Sequence, residues 1–167
     1  MQHWVGLGGN VGDRVAVLRR ACEALARFGT VQARSRIYSS EPIGGPPQPP
    51  FLNAVVRLES PYDPPTLLGH LLELERELGR DRRDEVRWGP RSIDLDLLLS
   101  GDGGREVLTL PGLELPHPRL AQRAFALAGL VEISPDLVHP IAARPMSALL
   151  RDALKQQAIA PTGDRLE

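Results

Sequence analysis

The chain has 167 residues, 42% of them hydrophobic and 25% charged, enough to bury a core as one domain without disulfides or a structural metal. Its net charge of −1 excludes the overall basic field that draws nucleic acid or acidic membranes, and its single cysteine, Cys22, excludes an internal disulfide. Met1-Gln2-His3-Trp4 lacks the charged and apolar regions of a signal peptide and no apolar run reaches spanning length, so a cytoplasmic protein with no nucleic-acid or membrane partner is expected.

Gln2 to Leu7 reads as a first strand, and Gly8 to Asp13 as a turn ending in a helix cap. From Asp13 to Phe28 apolar residues recur at Val15, Leu18, Ala21, Cys22, Leu25 and Phe28, one face of a helix that Gly29 closes. Cys22 on that face reads as a small buried hydrophobe rather than a catalytic thiol. Val31 to Ser40 reads as one strand. Pro42 to Pro50 holds five prolines, which lack the amide donor and fix their own φ, so it must be a loop. Phe51 to Leu58 resumes as a strand. Asp63-Pro64-Pro65-Thr66 opens a helix with an apolar stripe at Leu67, Leu68, Leu71, Leu74 and Leu78, ended by Gly79. A polar segment from Arg80 to Arg91 leads into a strand over Ser92 to Leu99. The resulting βαββαβ order predicts an α+β fold, a ferredoxin-like core with an antiparallel sheet and helices packed on one face. Beyond it come a turn at 101–104, a short hairpin over 107–115, and a C-terminal helical extension over 119–132 and 146–154. Residues 159–167 read as a flexible tail, leaving a single domain over 1–158.

The segment Arg87-Trp88-Gly89-Pro90-Arg91-Ser92-Ile93-Asp94-Leu95-Asp96-Leu97 carries the strongest chemical signal. Alternation along a strand puts Asp94 and Asp96 on one face, roughly 6 to 7 Å apart. Two like charges so placed raise each other's pKa unless a cation neutralises them, and paired carboxylates suit Mg²⁺ with substrate phosphates completing its shell. A bare D-x-D equally describes two exposed carboxylates on an edge strand. The flanking Arg87, Trp88 and Arg91, which offer cations for phosphate and a flat surface for a ring, favour phosphoryl or nucleotidyl chemistry.

Around it stand weaker signals. Gly6 to Asp13 is either a phosphate-binding nest or a tight turn, and the latter fits better because no complete nucleotide-binding motif is present. Arg80, Arg82, Arg83, Arg87 and Arg91 form either a solvated loop or a lid over a triphosphate. His117 in Pro116-His117-Pro118-Arg119 is structural or a phosphate donor beside Arg123. Asn53, on the face of Phe51 and Val55, caps a loop or reads the amide-like edge of a heterocycle on which Phe51 stacks. A diphosphate-transferring enzyme, a nucleotidyltransferase and a ligand- or RNA-binding module all remain open, although paired aromatics of the RNA-recognition type are missing.

With these residues together the chain resembles the 6-hydroxymethyl-7,8-dihydropterin pyrophosphokinase family, which moves a diphosphate from ATP to a pterin alcohol and releases AMP. The resemblance rests on Gly6-Leu7-Gly8-Gly9-Asn10, Tyr38-Ser39-Ser40-Glu41-Pro42, Phe51-Leu52-Asn53-Ala54, Gly79-Arg80, the Arg87–Asp96 segment, and Pro116-His117-Pro118-Arg119 with Arg123 and Phe125. It implies that Asp94 and Asp96 bind two Mg²⁺ that bridge the phosphates of ATP, the co-substrate. Ser40, Pro42, Ile43, Phe51, Asn53, Trp88 and Phe125 would form the pterin pocket. Glu75, Arg80, Trp88, Arg91, Leu97, His117 and Arg123 would line the ATP site, and Arg82, Arg83 and Arg91 would assist catalysis. The loop from Arg80 to Trp88 is one residue longer than in some relatives, so Arg82 and Arg83 are both candidates for the lid arginine. A monomer is expected.

Overall fold

The computed structural model describes the backbone of all 167 residues and every side chain except that of Asp84. Strand β1 (Gln2–Gly9) sends Val5 and Leu7 to one face of a sheet and Trp4 to the other. Asp13 then caps α1 (Arg14–Leu25), its side chain accepting from Ala16 N. The expected single strand over 31–40 is broken into β2 (Thr30–Arg34) and β3 (Arg36–Ser40). Buried Ser35 causes the break. Its hydroxyl takes a ladder position, accepting from Val55 N at 2.8 Å and donating to its neighbour Arg36 O at 2.7 Å. Strand β4 (Phe51–Glu59), helix α2 (Pro64–Glu77) with Asp63 as cap, and β5 (Asp94–Ser100) follow as read from the sequence.

The strands lie in the order β5-β1-β4-β3, β2 also pairing with β4, and every pairing is antiparallel. Both faces of this sheet are covered, not one. Leu18, Ala21, Cys22 and Leu25 of α1 and Leu67, Leu71 and Leu74 of α2 pack with Val5, Leu7, Leu52, Ala54, Val56, Leu95 and Leu97. On the opposite face, α3 (Ala124–Ile133) and α4 (Met146–Ala153) pack on Trp4, Val55, Leu98 and Leu99. Helix α3 starts later than the sequence pattern predicts, because residues 120–122 form a short 3-10 turn. It is buried on most sides and lies close to the sheet: a Cβ on Gly129 would stand 2.4 Å from Val55 Cγ2. The hairpin of β6 (Leu108–Leu110) and β7 (Leu113–Leu115) is present as expected.

The expected tail is instead β8 (Ile159–Arg165), which pairs antiparallel with the outer edge of β3. An edge strand needs no alternating pattern, and this one is mostly exposed between partly buried Ile159 and Leu166, which enters the core. Among the described residues no helix is long and apolar enough to cross a membrane.

Candidate active site

The register of three strands builds the floor of a cavity of about 910 Å³ on the α3 side of the sheet. Gly6 of β1 pairs with Asp96 on one side and Val55 on the other, and Gly8 pairs with Asp94 and Asn53. The carboxylates and the carboxamide thus share a face with only hydrogen between them. A Cβ on Gly8 would stand 3.0 Å from Asn53 Oδ1, so the glycine opens the trench that joins the two ends. Gly8 and Gly9, expected to open the turn, belong to this strand.

Charge on the floor is divided unevenly. Asp94 accepts from Arg80 Nη1 and Arg91 Nη1, each at 3.0 Å, while Asp96 accepts from Arg123 Nη1 at 2.8 Å. Burial pushes Asp94 upward, but Arg80 and Arg91 outweigh it and hold its pKa below the ordinary carboxylate value. Asp96 lies the other way: burial and the Asp94 charge raise it to about 6 against the pull of Arg123. The mutual elevation expected for the pair therefore falls on Asp96 alone. This is the carboxylate that most lacks a cation.

Arg80, 4% exposed, anchors the arrangement from below. It pairs with Glu75, Glu85 and Asp94, and although burial disfavours its charge these carboxylates raise its pKa. Glu75 is 1% exposed and sits behind the floor, also accepting from Arg82 Nη2 at 2.8 Å. It reaches the site through arginines and does not border the cavity. Arg82, Arg91, Trp88 and Arg123 do border it, but Arg83 does not. Arg83 is 88% exposed and bound to Asp81, which it pulls to a pKa of about 2 by hydrogen bonding.

At the other end Asn53 Nδ2 donates to Ser40 Oγ at 2.8 Å. Among the described residues no hydrogen bond ends on its Oδ1, leaving an acceptor for a ligand N–H. Ser40, Ile43, Phe51 and Phe125 border the same cavity; Pro42 lies between Glu41 and Ile43, which both do, but is not itself on the wall. Leu97 and His117 are also absent from it. They line a smaller adjoining cavity of about 310 Å³, and Asp96 borders both. Leu97 is there because alternation turns it to the face opposite Asp96. His117 Nδ1 accepts from Arg119 N at 3.2 Å, which assigns the proton to Nε2. Burial, then Arg123 and Arg119, push its pKa down to about 4, so it is a neutral donor near pH 7.

Two site-forming residues escaped the sequence reading of roles. Buried Asn10 clasps Arg91 through both backbone directions, N to Arg91 O and Oδ1 from Arg91 N at 3.0 Å each, and its Nδ2 donates to Gln48 Oε1 at 2.9 Å. Gln48 Nε2 in turn donates to Trp88 O at 2.7 Å. These side chains tie the glycine-rich turn, the proline loop and the arginine loop together at the cavity mouth. Carboxamides that satisfy backbone across loops carry no periodicity, so only their polarity within otherwise restricted loops could have marked them.

A family model described as 7,8-dihydro-6-hydroxymethylpterin-pyrophosphokinase matches residues 4–135. The chain is similar to the 2-amino-4-hydroxy-6-hydroxymethyldihydropteridine pyrophosphokinase of Aquifex aeolicus, at 39% identity over 86% of both chains. It is 43% identical to the Bacillus subtilis protein of that name, over 78% of this chain and 76% of that one. In fold it is similar to the crystal structure of Plasmodium falciparum HPPK-DHPS wild type with STZ-DHP, with a TM-score of 0.71 at 13% identity. That match covers 93% of this chain and 43% of the longer Plasmodium chain.

Proposed function

Because the chain belongs to the 7,8-dihydro-6-hydroxymethylpterin-pyrophosphokinase family, it is a pyrophosphokinase of folate biosynthesis, and we propose that it moves the diphosphate across the Gly8 trench. ATP phosphates lie at Asp94 and Asp96, and the pterin lies at Asn53. The observation that carries this reading is the pair of cross-strand rows, Asp96-Gly6-Val55 and Asp94-Gly8-Asn53, which bring two carboxylates and a carboxamide to the floor of one cavity. The strand order β5-β1-β4-β3 supports a ferredoxin-like core, with α3 and α4 as its C-terminal helical extension and β8 as part of the same single domain. Buried, unpaired Cys22 fits a reducing compartment such as the cytoplasm.

Asp94 and Asp96 would hold Mg²⁺, two ions in this reading. Among the described residues no third His, Cys, Asp or Glu joins them as a metal cluster, so phosphate oxygens and water must complete the coordination, the usual arrangement for Mg²⁺. Bound there, the metal supplies charge neutralisation for the phosphates. Arg91 and Arg123 are bound to the two carboxylates and, with Mg²⁺ held there, would be free to donate to phosphate oxygens. Arg80, fixed by Glu75, holds Asp94 in position. Leu97 and His117 take the nucleotide where the smaller cavity meets Asp96, His117 donating from neutral Nε2. Asn53 and Ser40 read the pterin edge, with Phe51, Phe125, Trp88 and the Pro42–Ile43 loop around it. The pterin hydroxymethyl oxygen gives up its proton to water and bonds to the β-phosphorus as the bond to the oxygen bridging to the α-phosphorus breaks, and AMP leaves with that oxygen. Orientation and charge stabilisation carry this step without a protein nucleophile.

Incubation with ATP, Mg²⁺ and the hydroxymethyl dihydropterin should yield AMP and diphosphorylated pterin in equal amounts; release of diphosphate with no AMP would indicate nucleotidyl transfer instead. Phe125→Ala should weaken pterin binding about tenfold through loss of a stacking face, and Asn53→Ala comparably, with ATP-analogue affinity nearly unchanged. Calorimetry showing equal losses for both ligands would reject the assignment of the two ends.

A further inference from the structure

Gln157 lies in the connection between α4 and β8, beyond residue 135 where the match to the family model ends, yet its side chain borders the large cavity. Its amide bridges two backbone groups on either side of Arg123: Nε2 donates to Gln122 O, and Oε1 accepts from Ala124 N at 3.0 Å. Donor and acceptor chemistry admits only this orientation of the amide. The Gln122 carbonyl belongs to the peptide plane before Arg123 and the Ala124 N–H to the plane after it. Holding both planes fixes φ and ψ of Arg123, which are −107° and 94° and lie outside the helical region.

Helix α3 needs this contact. Arg123 stands at its N-cap position and offers no side-chain cap, because a guanidinium has no acceptor for the orphan N–H groups; it donates to Asp96 instead. The orphan N–H of Ala124, a fully buried residue, is satisfied from the C-terminal segment instead. From this one pinned turn, Arg123 reaches Asp96 at the phosphate end and Phe125 borders the same cavity.

We infer that Gln157 is a positioning residue for the reaction: by clamping the peptides that flank Arg123, it sets Arg123 against the phosphates and Phe125 against the pterin. This rests on the roles proposed above for Arg123 and Phe125. The C-terminal strand thereby acquires a task, since its pairing with β3 fixes the segment that carries Gln157.

Gln157→Met keeps the length of the side chain and removes both hydrogen bonds. With Mg²⁺ and a non-hydrolysable ATP analogue present, it should weaken hydroxymethyl dihydropterin binding about tenfold and slow single turnover by a similar factor, while the thermal midpoint falls by only a few degrees and the variant stays folded at the assay temperature. In the Phe125→Ala background the same substitution should add at most about twofold to the loss of pterin affinity, because the side chain it orients is gone. Unchanged affinity and rate in Gln157→Met, or losses that simply add in the double variant, would overturn the inference. If Phe125→Ala alone leaves pterin affinity intact, the pterin assignment fails, and Gln157 is then judged by single turnover, where a wild-type rate rejects its role.

Discussion

Asp96→Asn should lower turnover by about three orders of magnitude or more while making the metal-free protein more stable at pH 8, whereas Asp94→Asn should lower both turnover and stability. The loss of activity follows from removing one of the two carboxylates available to Mg²⁺. The divergence in stability follows from their surroundings. Asp96 is raised to about 6 by burial and by Asp94, so in the folded apo protein its proton is held more tightly than in the unfolded chain. Such a group favours the fold fully below its unfolded pKa, near 4, and that contribution is lost as pH rises through 6. Asparagine mimics the protonated acid and still accepts from Arg123. The variant should therefore gain on the order of 2 kcal/mol at pH 8, shrinking to nothing near pH 4. Asp94 has the opposite sign: its lowered pKa marks stability present above the unfolded value and lost as pH falls through the folded one. Neutralising it leaves Arg91 without the carboxylate that now holds it and removes one of three from Arg80, a cost of about 1–3 kcal/mol at neutral pH. Denaturant unfolding at pH 4 and pH 8 in chelator, beside turnover in Mg²⁺, checks both. Equal stability changes in the two variants would mean the floor charges are not divided as described, and near-normal turnover in either would reject its place at the metal.

What could be read from sequence was chemistry confined to a regular element. Asp94 and Asp96 stand on a strand whose apolar neighbours declare the alternation, so their common face followed from spacing, as did that of Asn53 with Phe51 and Val55. The helix limits set by Asp13, Asp63 and Gly79 were readable for the same local reason. Contacts made across the fold were not. Nothing in the sequence says that Gly6 and Gly8 lie between Asp96 and Val55 and between Asp94 and Asn53, because that depends on register among three strands far apart in the chain. The segment 119–132 reads as a helix apolar at Leu120, Ala124, Leu127, Ala128 and Val131, but the near-complete burial of α3 on the second face of the sheet depends on the close seat of Gly129 against Val55. Strand β8 was missed because pairing with β3 needs only backbone groups, and a segment containing Pro161 and Gly163 carries little strand propensity.

Arg82→Ala should slow the chemical step about 10²- to 10³-fold, while Arg83→Ala should change it less than about threefold, although the two arginines are adjacent in a charged loop. Both were candidates because loop length alone does not say which one faces the phosphates. Arg82 borders the cavity and pairs with Glu75, which keeps Arg80 as a partner after Arg82 departs. Moving Arg82 onto a phosphate therefore breaks one ion pair at a half-exposed guanidinium, a cost of about 0–1 kcal/mol, and leaves no buried carboxylate unpaired. Arg83 starts from a worse position. It is on the outer side of the loop, held by both carboxylate oxygens of Asp81, and would have to abandon that pair and reverse direction. In the lid role proposed for it Arg82 would engage the substrate chiefly once the phosphates are in place, so its loss should fall on rate rather than on nucleotide affinity, which should weaken less than about fivefold. Single-turnover kinetics and equilibrium binding of an ATP analogue separate the two quantities. A large rate defect in Arg83→Ala with Arg82→Ala near normal would exchange the assignments, and normal rates in both would remove the loop arginines from the chemical step.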